Sequence, residues 1–408
     1  MNAHLLQSRR FVLTLGILTA MAAVTIDLSL PAIPSMVYAL ESTLTRGQQI
    51  VGIFILGMAI GQIPAGLASD RLGRMPTLYV GMTLFAIAAS IAAASTDMEW
   101  LLAARFIQGI GAASAVVLSR AIVRDIASGK DAARLMSLMT MIFTAAPVIA
   151  PTFGALLVAQ WGWRAPFIAI ATCAFLMIVA IRGNLVETHK PEIREHPLRQ
   201  LVSSFREFFS HRQSVFGLLL LILLPAGFMS VIAVSAALAV EIYGYSIQAY
   251  GLIFACAGLS ILVGSVINRV LVVSFDSLQL IGLGIALIFA SGVQLAAIAW
   301  LDSAPFWWVW PAVCLYMFAV PILMSNAIVF ALDPLPKIAG VASSIIGTLQ
   351  NIAGASGALL GAVIYNGSVR NTVIIMAGVA LINTVIFLMR PLIAPGPFVH
   401  HPEELARD

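Results

Sequence analysis

The sequence predicts an all-α membrane protein with twelve transmembrane helices in two six-helix bundles, and three observations predict it. Of the 408 residues, 61% are hydrophobic and only 10% are charged, whereas a soluble domain carries about 25% charged residues. The apolar residues form continuous runs of about 20 residues, the length of a helix that crosses a bilayer. These runs are also too long and too continuous for the alternating ~10-residue strands of a membrane β-barrel.

Twelve apolar runs follow one another along the chain. The predicted spans are residues 11–38, 48–67, 77–95, 100–122, 135–158, 165–181, 214–240, 249–268, 278–299, 307–331, 340–364 and 371–389. The first run is too long for the apolar core of a signal peptide and many runs follow it, so it is predicted to be a retained helix.

The basic residues predict the orientation. With the N-terminus in the cytoplasm, eighteen of the 22 Lys and Arg residues fall on the cytoplasmic side, and three, Arg46, Arg164 and Arg370, fall on the outer side. All seven Trp residues fall at outer helix ends in the same topology, where interfacial aromatic side chains are favoured. The sequence therefore predicts a multi-pass protein with cytoplasmic N- and C-termini.

One long polar segment divides the chain. Residues 198–209 within it fit either a short amphipathic helix on the inner membrane surface or a solvated linker. The two halves of the chain contain similar segments, "GLASDR" (66–71) and "GSVINR" (264–269), which share the pattern G-x-x-x-[D/N]-R. This similarity supports the duplicated halves that are typical of secondary transporters. The predicted domains are an N-terminal bundle at 1–182, a cytoplasmic linker at 183–213, a C-terminal bundle at 214–390 and a cytoplasmic tail at 391–408.

Asp27 places a carboxylate in the middle of the first apolar run. An Asp at the centre of a spanning helix costs about 2.5–3.5 kcal/mol on insertion scales. Burial favours the neutral carboxyl group, so this residue is suited to gain and lose a proton near neutral pH. The alternative is a structural carboxylate that is capped by Thr25 or Ser29.

Arg105 lies one to two turns inside the fourth run. A guanidinium there needs a carboxylate, a carbonyl group or water as a partner, and Asp27 is the candidate, directly or through water. The alternative is an arginine that extends to the outer interface.

The loop "GLASDRLGRMP" (66–76), between the second and third spans, combines glycine with charge. Gly66 and Gly73 permit tight backbone geometry. We expect Asp70, Arg71 and Arg74 to form a cytoplasmic latch, in which Asp70 pairs with an arginine or lies at the N-terminus of a neighbouring helix. The alternative is charge that only follows the positive-inside rule.

Other side chains inside the runs are candidates for a substrate cavity. They are Gln62, Phe228, Met229, Met324, Asn326 and Gln350. The polar ones also fit hydrogen bonds between helices, and the apolar ones fit ordinary packing.

Five further stretches carry recognisable motifs: "DLSLPAIPSM" (27–36), "RFIQGIGAA" (105–113), "SRAIVRDI" (119–126), "APVIAPTFGALL" (146–157) and "AGVASSIIGTLQ" (339–350). The loop at 66–76 is similar to the signature loop of the major facilitator superfamily. The five stretches resemble motifs of its antiporters, and in particular of the twelve-span drug:proton antiporters of the Bcr/CflA type. Ala150 departs from the general antiporter pattern, which has glycine before Pro151.

This resemblance implies a major facilitator fold in a bacterial inner membrane. The residues that it assigns are Asp27, Arg105 and Gln108 in the central cavity and in proton coupling, Arg124 and Asp125 in the latch, and Pro147, Pro151 and Gly154 in a bent fifth helix that limits leakage. An ordinary kinked helix is the alternative for the last group.

The predicted function is proton-coupled export of small drug-like or amphipathic compounds, by antiport and alternating access. We expect no cofactor beyond the proton gradient, a monomer, and the substrate, protons and lipid bilayer as partners. One alternative is a carrier of the same fold for a narrow physiological substrate such as an amino acid, a sugar or a siderophore, with symport as its coupling. Another alternative is a membrane sensor without flux.

Enzymatic, metal-binding and nucleic-acid functions are not expected. The six His residues lie in the tails or the central linker, and no span combines a nucleophile with a base. The three Cys residues lie singly inside apolar runs, which favours neither disulfides nor a metal cluster. No basic stripe interleaves with aromatic residues.

Overall fold

The chain folds into helices that are suited to cross a bilayer. The computed structural model describes residues 9–127, 129–189, 197–301 and 304–394, and within these ranges twelve helices are long and apolar enough to span a membrane. In chain order they are α1 (Arg9–Ser29), α2 (Leu44–Leu72), α3 (Arg74–Ala94), α4 (Met98–Ile126), α5 (Gly129–Trp161), α6 (Ala165–Asn184), α7 (Arg212–Ala237), α8 (Ile247–Leu271), α9 (Ser277–Trp300), α10 (Phe306–Leu332), α11 (Ala339–Ile364) and α12 (Val369–Leu388). A helix satisfies its backbone N–H and C=O groups internally, which lipid requires.

The predicted fold class is confirmed, since every predicted span overlaps one of these helices. Most helices extend a few residues beyond the apolar run. The predicted span 48–67, for example, is Leu44–Leu72. The first span is interrupted because Pro31 has no N–H to donate. A 3₁₀ turn at Leu30–Ala32 follows α1, and a short helix at Ile33–Ala39 completes the span.

Side-chain caps begin five of the described helices, including α8, where the hydroxyl oxygen of Ser246 accepts the backbone N–H group of Ala249 at 3.2 Å. In the other four, Thr43 precedes α2, Asp97 precedes α4, Asp276 precedes α9 and Ser368 precedes α12, and each side-chain oxygen likewise accepts a backbone N–H group of the first turn. Asp276 also forms a reciprocal capping box with Gln279. Such a cap contributes about 0.5–2 kcal/mol, and it helps to determine where the helix begins.

The described residues form two compact units. The first comprises those within Met1–Arg194 and Ile232–Leu259, and the second comprises those within Glu195–Val231 and Ser260–Asp408. The end of α7 and the first half of α8 therefore belong to the unit that contains α1–α6. The domain boundaries predicted from the sequence stay a prediction. Parts of the predicted domains lie outside the described residues: 1–8 and 128 of the N-terminal bundle, 190–196 of the linker, 302–303 of the C-terminal bundle and 395–408 of the tail.

The predicted linker contains a helix at Pro197–Ser210. This confirms the helical alternative for residues 198–209. Phe208 on this helix is buried, whereas Val202 and Phe209 are exposed. Its location on the membrane surface stays a prediction.

Glycines bring α2 and α4 together within the first unit. A Cβ atom at Gly61 would lie 2.8 Å from the carbonyl oxygen of Ile110, and one at Gly109 would lie 2.9 Å from the backbone nitrogen of Met58. The two backbones are therefore in contact, as small residues allow in membrane helices. This contact determines which face of α4 meets α2, and it positions Arg105, one turn before Gly109.

Candidate functional site

Asp27 is a buried carboxylate near the end of α1. Only 6% of the residue is exposed. Ser29 donates its hydroxyl to the carbonyl oxygen of Ile26 at 2.8 Å, so this hydroxyl does not cap the carboxylate. Among the ion pairs of the described residues, none includes Asp27. The carboxyl group is therefore removed from water without a charged partner in the described part of the chain.

The predicted helix-five motif packs beside this carboxylate. A Cβ atom at Gly154 would lie 3.1 Å from the carbonyl carbon of Leu28 and 3.2 Å from its Cα atom. The backbone of α5 thus contacts α1 at the residue after Asp27. Glycine is needed at position 154 because any side chain would collide with the backbone of α1.

The two prolines of the same motif lie against glycines of α8. A Cβ atom at Gly258 would lie 2.6 Å from the carbonyl carbon of Pro147, and one at Gly251 would lie 3.2 Å from the carbonyl oxygen of Pro151. Thr152 donates its hydroxyl to the carbonyl oxygen of Gly251 at 3.1 Å. Helix α5 continues through both prolines. The short distances from Gly251 and Gly258 show that the motif contacts α8 closely inside the first unit.

A buried pair of hydroxyl groups from α7 and α8 belongs to the same unit. The hydroxyl oxygens of Tyr250 and Ser235 lie 2.9 Å apart, and Ser235 donates to the carbonyl oxygen of Ile232 at 2.7 Å. Because Ser235 has one hydrogen, Tyr250 is the donor between the two. An electrostatic interaction links Tyr250 to Asp27. Sequence reasoning missed this pair, because a tyrosine at the start of a span is typical of a membrane interface.

Arg105 is fully buried in the first unit. Its Nη1 donates to Oε1 of Gln108 at 2.9 Å, and its Nε donates to the carbonyl oxygen of Ile50 at 3.4 Å. The rings of Phe54 and Phe167 have their centroids 4.5 Å and 5.9 Å from its Cζ atom. Burial excludes an arginine that extends to the interface.

The direct pairing of Arg105 with Asp27 that the sequence suggested is not among the ion pairs of the described residues. Two nitrogen atoms of the guanidinium donate instead to Oε1 of Gln108 and to the carbonyl oxygen of Ile50. The structure thus brings Arg105 and Gln108 together, and it gives Asp27 different neighbours.

The residues of the predicted latch form a network around Arg74, the first residue of α3. Its guanidinium donates to Asp125 at 2.8 Å through Nε and 3.3 Å through Nη2, and through Nη1 to Asp70 at 2.6 Å and Ser69 at 2.7 Å. Thr188 adds a hydroxyl donor to Asp125 at 3.0 Å. The side chain of Arg74 is 9% exposed, against 41% for Asp70 and 18% for Asp125.

Glu187, which sequence reasoning missed, lies at the N-terminus of α3. Its carboxylate accepts the backbone N–H groups of Arg74 at 2.9 Å and Met75 at 3.0 Å. Burial acts to raise the pKa of Glu187, but these bonds, with those from the amides of Thr188 and His189, outweigh it and hold the pKa below its ordinary value of 4.5. The helix N-terminus proposed for Asp70 is thus occupied by Glu187, 113 residues along the chain from Arg74.

The other latch candidates differ in their surroundings. Gly73 has a φ angle of +99°, and a Cβ atom there would lie 2.7 Å from Oε2 of Glu187, so both the turn and the carboxylate require glycine. At Gly66 the nearest heavy atom to a Cβ would be 3.9 Å away. Arg71 and Arg124 are exposed, and neither takes part in the ion pairs of the described ranges.

The candidates for a substrate cavity are divided between the two units. Gln62 lies in the first unit, and the second contains Phe228, Met229, Met324, Asn326 and Gln350. Nδ2 of Asn326 donates to Oδ1 of Asn268 at 2.8 Å and joins α10 to α8, which confirms the alternative of an interhelical hydrogen bond for this residue. Phe228, Met229 and Met324 are half-buried.

The sequence profile of the Major Facilitator Superfamily matches residues 15–358. A bicyclomycin resistance protein homolog of Haemophilus influenzae is 29% identical over 347 residues, which cover 85% of this chain and 87% of that protein. Multidrug resistance protein D of Escherichia coli is 27% identical over 344 residues, with 83% and 85% covered. Multidrug resistance protein MdtL of Escherichia coli is 27% identical over 389 residues, with 93% and 94% covered.

Solved structures show the same fold at low sequence identity. The crystal structure of a D-xylose-proton symporter has a TM-score of 0.73 and 17% identity, over 94% of this chain and 97% of that chain. A POT family transporter in complex with a thioalcohol-conjugated peptide has a TM-score of 0.75 and 16% identity, over 94% and 97%. The arrangement of helices is therefore that of a known class of membrane proteins.

Proposed function

The chain belongs to the Major Facilitator Superfamily, and we propose that it exports small drug-like or amphipathic compounds in exchange for protons. The family and the similar curated proteins are transporters rather than enzymes. The protein is accordingly a multi-pass transporter of a bacterial inner membrane with a small-molecule substrate. The proposal adds the substrate class, the direction of transport and the coupled proton.

The observation that carries the proposal is the buried carboxylate of Asp27, which forms no ion pair with any other described residue. Moving an ionised carboxylate out of water without a partner costs several kcal/mol. The group is therefore stable either as the neutral acid or as the anion beside a cationic or hydrogen-bond-donating ligand. A proton and a substrate then compete for the same two oxygen atoms. Protonation releases the substrate on one side of the membrane, and loss of the proton restores affinity on the other.

Tyr250 and Ser235 are proposed to contribute to the same site. Ser235 accepts from the tyrosine and donates to Ile232, so the tyrosine hydroxyl is held by a fixed partner. The charge of an ionised Asp27 acts on this hydroxyl. The pair thus supplies a polar wall whose interaction with a bound compound depends on the protonation of Asp27.

The substrate class is supported by the relatives and by the composition of the second unit. The names of the similar curated proteins refer to bicyclomycin resistance and multidrug resistance. Met229, Met324 and Phe228 are half-buried, and flexible thioether and aromatic side chains adapt to apolar ligands of different shape.

The proposed transporter acts as a monomer and draws its energy from the proton gradient without a cofactor. We place both termini in the cytoplasm, since that orientation puts eighteen of the 22 Lys and Arg residues there. The Arg74 network then lies at the cytoplasmic ends of α2 and α3. We assign to it the role of a latch that opens and closes during alternating access.

The test is proton flux in liposomes that contain the purified protein and a pH-sensitive dye. After a pH gradient is imposed, cationic and neutral amphipathic compounds are added one at a time to wild type, Asp27→Asn and Glu99→Gln. Glu99 is an exposed partner of Arg46 at 2.8 Å, so its variant controls for the loss of a carboxylate elsewhere.

We expect at least one compound to collapse the gradient in wild type and in Glu99→Gln but not in Asp27→Asn. If wild type and Asp27→Asn respond equally, the coupling carboxylate is another residue. Proton movement in the same direction as the compound would establish symport instead. If correctly folded wild type responds to no compound, export of this panel is wrong, and a narrow-substrate carrier or a sensor replaces it.

A further inference from the structure

The helix at Pro197–Ser210, here called the linker helix, carries apolar side chains that the rest of the described chain leaves uncovered. Val202 and Phe209 are 67% and 48% exposed, and Phe205 is half-buried. The helix packs against α11 in the second unit, and Phe208 is buried. Exposed apolar side chains on the spans face lipid, but the linker helix is not one of the twelve spans. Its uncovered side therefore needs an occupant of its own.

The uncovered side chains form one continuous stripe. In an α-helix, residues three or four positions apart lie on the same side, and Val202, Phe205 and Phe209 follow that spacing. The rings of Phe205 and Phe209 are stacked with their centroids 6.3 Å apart, so these two residues are in contact. Single exposed apolar residues are common on protein surfaces and need no explanation, whereas a continuous apolar stripe marks an interaction surface.

Arg206 lies at the edge of this stripe. It is exposed, and it comes four residues after Val202 and three before Phe209, so it adjoins both on the helix surface. None of the ion pairs of the described residues includes it. The next side of the helix carries exposed polar residues, which are Ser203, Glu207 and Ser210. The linker helix thus has an apolar stripe, a basic edge and a polar side.

The place of the linker helix in the chain sets this stripe at the membrane boundary. One residue, His211, separates the end of the linker helix from Arg212, the first residue of α7. Because α7 crosses the bilayer, the C-terminal end of the linker helix lies near the headgroups, and Phe209 is within a turn of that point. Val202 is about 10 Å further along the helix axis. Contact with α11, another span, keeps the helix beside the spans.

The charge of the segment favours an anionic partner. The sequence from 190 to 212 contains Lys190, Arg194, Arg199, Arg206 and Arg212 against Glu192, Glu195 and Glu207. Arg212 is exposed and, like Arg206, takes part in none of the ion pairs of the described ranges. Basic residues next to a span attract the anionic headgroups of the leaflet. An arginine beside an apolar stripe binds phosphate with its guanidinium while the stripe lies among acyl chains.

We propose that the linker helix binds an anionic phospholipid of the adjoining leaflet, which is the cytoplasmic leaflet in the topology given above. Arg206 donates to the phosphate of the headgroup. Phe209 and Val202 lie among the acyl chains, where their apolar surface is removed from water. A soluble phosphate would use the arginine but not the stripe, and a lipid without net charge would gain less from the basic edge. The proposal does not depend on proton exchange or on the substrate.

Five variants separate the headgroup contact, the apolar stripe and the net charge of the protein. Arg206→Gln removes the proposed phosphate contact, and Arg206→Lys keeps its positive charge. Phe209→Ser removes part of the stripe, whereas Phe209→Leu keeps it apolar. The control for net charge is Arg370→Gln, because Arg370 is exposed in the first turn of α12 and belongs to none of the ion pairs of the described residues.

The experiment is native mass spectrometry of the whole chain, purified in a nonionic detergent and shown to be monodisperse by size-exclusion chromatography. Each variant is titrated with dioleoylphosphatidylglycerol, which is anionic, and with dioleoylphosphatidylcholine, which has the same acyl chains and no net charge. The affinity for the first bound lipid is compared between the two titrations. Glycerol 3-phosphate, which carries the phosphate without acyl chains, is added as a competitor.

We expect wild type to bind phosphatidylglycerol about tenfold more tightly than phosphatidylcholine. Arg206→Gln should lower this preference about fivefold, because a positive charge beside the headgroups is lost, and Arg206→Lys and Arg370→Gln should retain it. Phe209→Ser should weaken the binding of phosphatidylglycerol, and Phe209→Leu should bind it as wild type does. Glycerol 3-phosphate should not displace the lipid.

Several results would overturn the proposal. Wild type without a preference for phosphatidylglycerol refutes it, and so do equal losses in Arg206→Gln and Arg370→Gln, which would reduce the effect to net charge. Displacement by glycerol 3-phosphate would make this a site for soluble phosphate. A dimer in wild type that Phe209→Ser abolishes would show that a second copy of the chain covers the stripe. Failure of antiport in liposomes together with the expected lipid preference would reject the proposed function and leave this inference intact.

Discussion

Arg74→Met removes the guanidinium that joins Asp70, Ser69 and Asp125 but keeps an apolar stem of similar length. Breaking a fully buried ion pair by removing one partner costs about 3–5 kcal/mol. The cost here is lower, because Asp125 is 18% exposed and retains Thr188 as a donor, and Asp70 is 41% exposed. We therefore expect the free energy of unfolding to fall by about 2–3 kcal/mol.

The matched control is Arg46→Met, which breaks the ion pair with Glu99 at 2.8 Å. The side chains of Arg46 and Glu99 are 47% and 68% exposed, so this pair contributes about 0–1 kcal/mol. Unfolding is measured in mixed detergent micelles by titration with dodecyl sulfate, followed by tryptophan fluorescence and circular dichroism. The reasoning is refuted if the two variants lose the same free energy of unfolding.

Three further predictions concern single contacts. Glu187→Gln removes a carboxylate whose pKa is held below 4.5 in the folded chain. Between the folded pKa and pH 4.5 the unfolded chain binds more protons than the folded chain, so wild type should be more stable than the variant above pH 4.5 and lose this advantage as the pH falls through the folded pKa. Unfolding titrations from about pH 7 to about pH 3 test this expectation. A difference in unfolding free energy that stays constant with pH contradicts it. Tyr250→Phe removes the hydrogen bond to Ser235, whose hydroxyl still donates to Ile232. The free energy of unfolding should therefore fall by only about 0.5–1.5 kcal/mol, whereas proton exchange in liposomes should be impaired. Exchange at the wild-type rate would exclude the tyrosine hydroxyl from the site. Gly154→Ala should lower the free energy of unfolding by about 1–3 kcal/mol, because the added methyl group overpacks the contact with α1. The control is Gly378→Ala, which should not destabilise the protein because a Cβ atom there meets no neighbour within 4 Å. Equal effects in the two variants would show that the contact of α5 with α1 is not close.

Some parts of the site were predictable from the sequence because they are local. Asp70 and Arg74 are four residues apart, and a charged loop after a span already indicated their pairing. Asp27 was identified because a single carboxylate stands out in an apolar run. The partners that sequence reasoning missed are distant in the chain: Glu187 lies 113 residues from Arg74, and no local pattern distinguishes it from any other acid in a linker.

The twelve spans were predictable from the sequence, because the length of an apolar run is a property of consecutive residues that the bilayer acts on directly. The interruption of the first span at Pro31 was not predicted. The sequence did not reveal the pairing of Arg105 with Gln108, the absence of an ion pair at Asp27 among the described residues, or the contact of Tyr250 with Ser235. The physical reason is that such contacts depend on the rotation of each helix about its axis. Hydropathy does not encode that rotation. It is set by close backbone contacts such as those at Gly109, where atoms far apart in the chain pack against one another.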